Sequence, residues 1–409
     1  MTVLTMTNQL AERHNVLFLL RSHNDIDHIV PIIWKCIEEN MKCYYLFTES
    51  DHSADHRIKF IGIKGAIRIH SRAIWVYHRF FRQCLLADKV RNVLDMIVGW
   101  TMGRHLLDRR SIEIIVTEWS GRSGRGQAKY ILAPAFRKHL PIYSVPHGYN
   151  IYTNLDINKT VTEYRKKTGK WPDFSARNSF TRYVVQTDAT QRFCEAYGIK
   201  KSKLEVLGSA RFCREWMQVN REVFTSDVED CISTYSCKIV FFLPQWDYNV
   251  DREACYRLIL LLSEMKDVLI RLKGSTREIS GLYESEQRDL VNVANVVFSN
   301  NNTSPSLIEW SDLVINFASS IGLEAVMQDK PILNPQYLHS NETIFDNSGV
   351  TIDCGNSDVV LEEVLKFKEN GIAHAHKSDQ KTFYKRFIQG SNSDKDVLGK
   401  YVRLIKGAV

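Results

Sequence analysis

Nowhere in the 409 residues is there a run of the roughly 20 apolar residues that a membrane-spanning helix needs. The nine cysteines, at 36, 43, 84, 194, 213, 231, 237, 255 and 354, contain no CxxC pair, and their number is odd. That pattern speaks against a zinc site or a disulfide frame and fits the reduced thiols of a cytosolic protein. The opening MTVLTMTNQLAERHN has no basic flank followed by an apolar run, so no secretory leader is expected. There is no internal repeat and no low-complexity tract, which excludes solenoid and fibrous classes.

What remains is an ordinary globular balance, 44% hydrophobic and 25% charged residues, in a length comfortable for two domains. Net charge is +7, and much of the excess lies between Ala66 and Arg110, where nine Lys/Arg face three Asp. Ile67, Trp75, Tyr77, Phe80, Phe81, Leu85 and Leu86 are interleaved with these cations at roughly helical spacing. Such a face suits an anionic membrane surface or an acidic acceptor, and equally an amphipathic helix pair packed on its own domain. No nucleic-acid motif accompanies the charge, so nucleic acid is not an expected partner.

Short apolar runs alternate with helix-length segments. Asn15–Arg21, Lys42–Thr48, Ile112–Thr117 and Pro141–Val145 read as strands, with helices at His28–Glu39 and near Gly126–His139. Thr153–Ser179 is polar and aperiodic and reads as a linker. A second set follows at Tyr183–Gln186, Leu204–Leu207, Lys238–Leu243, Val268–Leu272, Val296–Phe298, Leu313–Asn316 and Ile332–Leu333, then a basic helical stretch, Lys381–Lys406. The expected class is α/β: two doubly wound halves facing a cleft, with ligands beyond the carboxyl ends of the strands.

The polar residues at those strand ends carry the chemistry. Ser319, Ser320 and Gly322 open a helix after the strand ending at Asn316, which suits a phosphate; Glu324 is placed for the ribose hydroxyls. Gln245 and Asp247 follow an apolar strand, and Asp247 reads either as a nucleophile or base, or as a turn or cap aspartate. Lys273 and the Ser275 amide are candidates for the phosphate charge. In the first half, Asn24 and Asp25 stand in SHNDIDH, whose spacing fits no metal template, and Asp25 or Asp27 suits a helix cap. Glu118 is a candidate general acid or base. Arg122 and Arg125, in the glycine-rich loop behind it, are candidates for an anionic sugar or lipid phosphate. His147 stands before Gly148 at a strand end.

The stretch SDLVINFASSIGLEAVMQDKPILNP resembles the C-terminal signature of GT-B glycosyltransferases. It is similar to the SD…ITDYSS…E…GKP run of the glycerophosphotransferases that build teichoic acids. It is more similar to the SS-x-G-L-E-A run of the retaining β-Kdo transferases of capsule and O-antigen assembly. In the same order, YSVPHGYN resembles the His-Gly loop closing the N-domain, YVVQTDATQRFCEAYGIKKSKLEVLGSAR the start of the C-domain, and KIVFFLPQWD its active-site strand. The likeness runs from Tyr143 to Pro335. RLKGSTR departs from it where a His-Pro pair often stands.

The resemblance implies a GT-B enzyme with an N-terminal acceptor-side domain over 1–180, carrying the basic insertion 66–110, and a nucleotide-sugar domain over 181–380. A C-terminal helix over 381–409 would pack back on the first. It implies transfer of a sugar, best matched by Kdo from CMP-Kdo with retention through a glycosyl-Asp247 intermediate, to a surface polysaccharide or lipopolysaccharide acceptor. Arg211, ending the Gly-x-x-Arg run, joins Lys273 and Arg122 as a cation for an acidic sugar. No metal or other cofactor is expected, since GT-B enzymes offset phosphate charge with basic residues and a helix terminus. The expected place is the cytoplasm, at the cytoplasmic face of the inner membrane if the basic helices touch it. The alternatives are a CDP-glycerol-type transferase, an inverting glycosyltransferase with another donor, and a non-catalytic nucleotide- or glycan-binding protein.

Overall fold

Asn15–Leu20 (NVLFLL) is buried from Val16 onward and forms β1, an interior strand of the first sheet. The computed structural model describes residues 14–80, 88–119, 121–154, 159–224, 228, 235–246, 249–274, 282–371, 377–391 and 394–407. Asp247 and Ser275 lie outside the described residues. The first sheet continues with β2 (Lys42–Phe47), β3 (Ile67–Arg68), β4 (Ile114–Glu118), β5 (Ile142–Val145), β6 (Arg182–Val185) and β7 (Leu204–Val206). The second holds β8 (Cys237–Phe242), β9 (Val268–Lys273), β10 (Val296–Phe298), β11 (Leu313–Ile315), β12 (Ile332–Pro335) and β13 (Ile352–Cys354).

The strand orders are β3-β2-β1-β4-β5-β6-β7 and β10-β9-β8-β11-β12-β13, and every ladder pair among them is parallel. Parallel strands covered by helices on both faces read as near-continuous apolar runs, as in NVLFLL and in IVFF of CKIVFF. In each sheet the order reverses once, between β1 and β4 and between β8 and β11. At such a reversal two neighbouring connections leave on opposite faces and open a crevice at the strand carboxyl ends.

Two expectations need correction. The strands at Tyr183 and Leu204 belong to the first sheet, where Tyr143 pairs with Arg182 and Tyr183 with Leu204. The sheet boundary therefore falls after Val206, not at 180/181. Thr153–Ser179 is not plain linker, because it contains the helix Lys159–Thr168. The C-terminal segment does pack back on the first domain, as the helix Val397–Lys406. Its Tyr401 hydroxyl donates to the Gly208 carbonyl at 2.9 Å, and Lys406 Nζ lies 3.0 Å from Glu39 Oε2. A second crossing runs the other way: Ile344 N donates to Ile151 O at 2.9 Å and Thr153 N to Glu342 O at 2.9 Å.

Candidate active site

The residues after β1, β4, β5, β8, β9 and β11 converge on one cleft of about 540 Å³ between the sheets. From the first domain it is lined by Asn24, Asp27, Trp119 and His147, and from the second by Gln245, Lys273, Ser319 and Ser320, with Arg211 between. An adjoining cavity of about 330 Å³ shares Asp27, Arg211, Lys273 and Ser304 with it and adds Arg57, Asn220 and Glu324.

On the first-domain wall, β4 ends at Glu118, which is 3% exposed. Arg21 Nε lies 3.3 Å from one carboxylate oxygen and His147 Nδ1 3.3 Å from the other. The histidine contact is within ion-pair reach but lacks hydrogen-bond alignment. Burial, helped by the nearby Asp25 carboxylate and opposed by Arg21, pushes Glu118 up to about 7. Trp119 meets the imidazole edge-on, ring centroids 5.9 Å apart, and is itself held by a 2.7 Å indole hydrogen bond to Val184 O. Glu118 is thus behind the cleft wall, and His147 lines the cleft itself.

Asp25 does not reach an acceptor. It sits in the first turn of the helix His23–Glu38, fully buried, and its Oδ2 accepts from the Arg21 and Ser22 amides at 2.5 and 3.0 Å. Burial outweighs those bonds and raises it to about 6. Asn24 does line the cleft. Arg122 and Arg125 do not; Arg122 lines a separate pocket near Trp100, and Arg125 is exposed. The acid that does line the cleft is Asp27. Burial alone would raise it, but Arg211, at 2.9 Å, and Arg57, bonded to its other oxygen, hold it well below the usual carboxylate range.

On the second-domain wall, β11 opens into Asn316–Ile321 and the short helix Gly322–Met327. Asn316, 2% exposed, donates to the Ser319 carbonyl at 3.1 Å, and the Tyr152 hydroxyl donates to Ala318 O at 2.9 Å. Gly322 is required by close approach: a Cβ there would stand 2.6 Å from Asn316 Nδ2 and 2.9 Å from Phe345 Cζ. Gly322→Ala should therefore cost about 1–3 kcal/mol in a denaturant melt, the usual range for overpacking. An unchanged melt would show that the loop yields freely. Lys273, at the end of β9, is 3% exposed; Nζ donates to Asn300 O at 2.6 Å, and burial lowers its pKa.

Glu324 stands in the adjoining cavity rather than in the main cleft. Asn220 Nδ2 donates to it at 3.2 Å and Arg211 Nη2 lies 3.8 Å away. Burial raises it to about 7, against the pull of Arg211. The residues that sequence reasoning missed or gave only a capping role are Asp27, Arg57, Trp119, Tyr152 and Asn220. Asp27 lies 30 residues from Arg57 and 184 from Arg211, so no local spacing reveals the triad. Among the described residues, no group of three or more His, Cys, Asp or Glu is arranged to hold a metal ion.

None of the family models and none of the curated proteins compared with the chain matches it. Solved structures do. The UDP-GlcNAc 2-epimerase of Methanocaldococcus jannaschii superposes with a TM-score of 0.61 over 96% of this chain and 99% of that one, at 11% identity. The UDP-GlcNAc 2-epimerase of Neisseria meningitidis, bound to UDP-GlcNAc, gives 0.56 over 96% and 99%, at 12% identity. The glycotransferase of kitacinnamycin gives 0.54 over 97% and 98%, at 11% identity. The chain has the GT-B fold. The likeness covers both domains and the crevice between them, and at these identities it speaks for the fold alone.

Proposed function

We propose that the chain is a glycosyltransferase that takes a sugar from a nucleotide donor and passes it to a glycan hydroxyl by direct displacement. The observation that carries this is the meeting of His147, backed by Glu118, with Lys273, Ser319 and Ser320 in one cleft. The second-domain wall offers what a donor phosphate needs: a buried ammonium and two hydroxyls at a strand end. The first-domain wall offers a base. With Nδ1 turned to Glu118, Nε2 is the nitrogen proposed to take the acceptor proton. The acceptor oxygen forms the new bond to the anomeric carbon, the anomeric carbon–oxygen bond to phosphate breaks, and its electron pair leaves on the nucleotide. Charge neutralisation at the phosphate falls to Lys273, with Arg211 adjacent.

The ligand named for the Neisseria meningitidis neighbour favours a UDP-linked donor over the CMP-linked one expected from sequence. Transfer of Kdo through a glycosyl-Asp247 intermediate rests on the sequence resemblance alone, as does a CDP-glycerol donor. An oligosaccharide or lipid-linked glycan remains the proposed acceptor. A second reading, epimerisation at C2 of a nucleotide sugar, has one specific support: the end-to-end superposition on 2-epimerases.

Purified protein should be incubated with UDP-, GDP- and CMP-sugars, with and without glycan acceptors, and followed by mass spectrometry. Transfer predicts an acceptor heavier by one sugar, and nucleotide release that rises with acceptor. Release and isomerisation that ignore the acceptor would support the second reading. Binding with no turnover of any donor would leave a glycan- or nucleotide-binding protein.

A further inference from the structure

The helix Asp88–Val98 runs on through a π-helical turn, Gly99–Gly103, into Arg104–Arg109. Its inner face is set by two glycines one turn apart. A Cβ at Gly103 would lie 1.8 Å from the Tyr130 carbonyl oxygen, and one at Gly99 3.6 Å from Tyr130 Cα, so this rod lies backbone to backbone on the helix Ala128–Arg137. Close packing on one side leaves the other side to solvent. There Val90, Val93, Ile97 and Trp100 follow the i, i+3, i+7, i+10 spacing of one stripe, with Met96 beside it, all 45–52% exposed. The helix Arg72–Arg79 adds Trp75, and Phe80 follows it, their rings 5.9 Å apart and both largely exposed.

Cations frame these apolar residues. The Arg104 and Arg137 guanidinium groups stand 4.9 and 5.2 Å from the Trp100 ring. Arg72 and Arg79 are exposed on the helix Arg72–Arg79, and Arg109 is exposed at the end of the helix Arg104–Arg109. Two of the acids nearby are engaged: Asp95 is bonded to Lys129 and to the Tyr130 hydroxyl, and Asp108 is paired with Lys138 and Arg104. Scattered single apolar residues on a surface need no explanation, but a continuous stripe of valine, methionine, isoleucine and tryptophan ringed by arginine does.

We propose that this face docks on an anionic lipid bilayer, with the apolar stripe entering the headgroup boundary and the arginines meeting lipid phosphates. Tryptophan with arginine is the composition of an interfacial anchor. No helix among the described residues is long and apolar enough to cross a membrane, so the contact is one of lying on the surface. A second copy of the chain fits less well. A two-fold contact through this patch sets its arginines against their own copies. Met96, Trp100 and Arg137 share a pocket of about 250 Å³ with Arg122, from the loop that follows Glu118. A docked bilayer would lie along the domain that carries His147.

The test is co-sedimentation of the full chain with phosphatidylcholine vesicles, with and without phosphatidylglycerol, at low and at physiological salt. Association is expected only with the anionic vesicles, falling about tenfold or more as salt screens the arginines. Val93→Asp/Ile97→Asp, at two exposed positions, should lose that association while melting as the wild type does. Val93→Ser/Ile97→Ser should weaken it without adding charge. No binding to anionic vesicles at low salt would overturn the proposal, and so would double variants that bind as wild type. A lipid-free dimer that Val93→Asp/Ile97→Asp dissociates would also overturn it and assign the face to a second copy.

Discussion

Glu118→Gln should lower turnover by about 10²–10⁴-fold, the range for losing general acid–base assistance, while donor affinity stays close to wild type. In the proposed mechanism Glu118 stays behind the cleft wall, where it would stabilise the His147 imidazolium that forms as the acceptor loses its proton. It does so only when ionised, and burial with the neighbouring Asp25 sets that ionisation at about 7. Wild-type turnover should therefore rise with pH through about 7, and the glutamine variant should lack that inflection. A structural role alone would lower activity equally at every pH.

The same substitution has an opposite effect on stability. The folded-state pKa of Glu118 is raised above its ordinary 4.5 to about 7, so its contribution to stability is fully present below the unfolded value and is lost as pH rises through the folded one. At pH 8 the wild type holds a buried carboxylate that the fold disfavours, by up to about 3 kcal/mol on the size of the shift. Glu118→Gln should then melt higher than wild type at pH 8 and close to it at pH 5. A variant that is both slower and more stable above neutrality has exchanged stability for function at that site.

Lys273→Met should weaken donor binding by about 10–100-fold, the loss of a charge-assisted hydrogen bond worth about 1.5–3 kcal/mol, with the fold unharmed. Burial lowers the lysine pKa, which means the fold disfavours its ammonium, and among the described residues Nζ donates to the Asn300 carbonyl. Methionine fills the space without the charge. Calorimetric titration with nucleotide and nucleotide sugar reads the effect. Equal affinities would remove Lys273 from the phosphate site, and a collapsed fold would make it structural.

The long strands were legible because fully buried parallel strands are predominantly apolar, as Asn15–Leu20, Cys237–Phe242 and Val268–Lys273 are. β3, with two residues, is too short to leave a pattern, and β13 (Ile-Asp-Cys) has a polar centre that breaks its apolar run. Which sheet β6 and β7 join was not legible, since pairing with β5 is a long-range choice and their sequence looks the same in either half. The site followed a similar division. Gln245, Lys273, Ser319, Ser320 and His147 were found because polar residues just after apolar strands must face the crevice of a wound sheet. Asp25 and Asp27 were harder. Only the helix that begins at His23 decides that Asp25 turns back to cap its own first turn while Asp27, two residues on, reaches Arg57 and Arg211.

The most direct measurement is proton NMR of the wild type with a UDP-sugar in deuterated water, with and without a glycan acceptor. Transfer predicts that UDP and a new glycosidic linkage appear together, with the sugar's C2 hydrogen retained. Deuterium at C2 and an inverted C2 centre, produced without any acceptor, would contradict the transferase reading and assign the cleft to epimerisation.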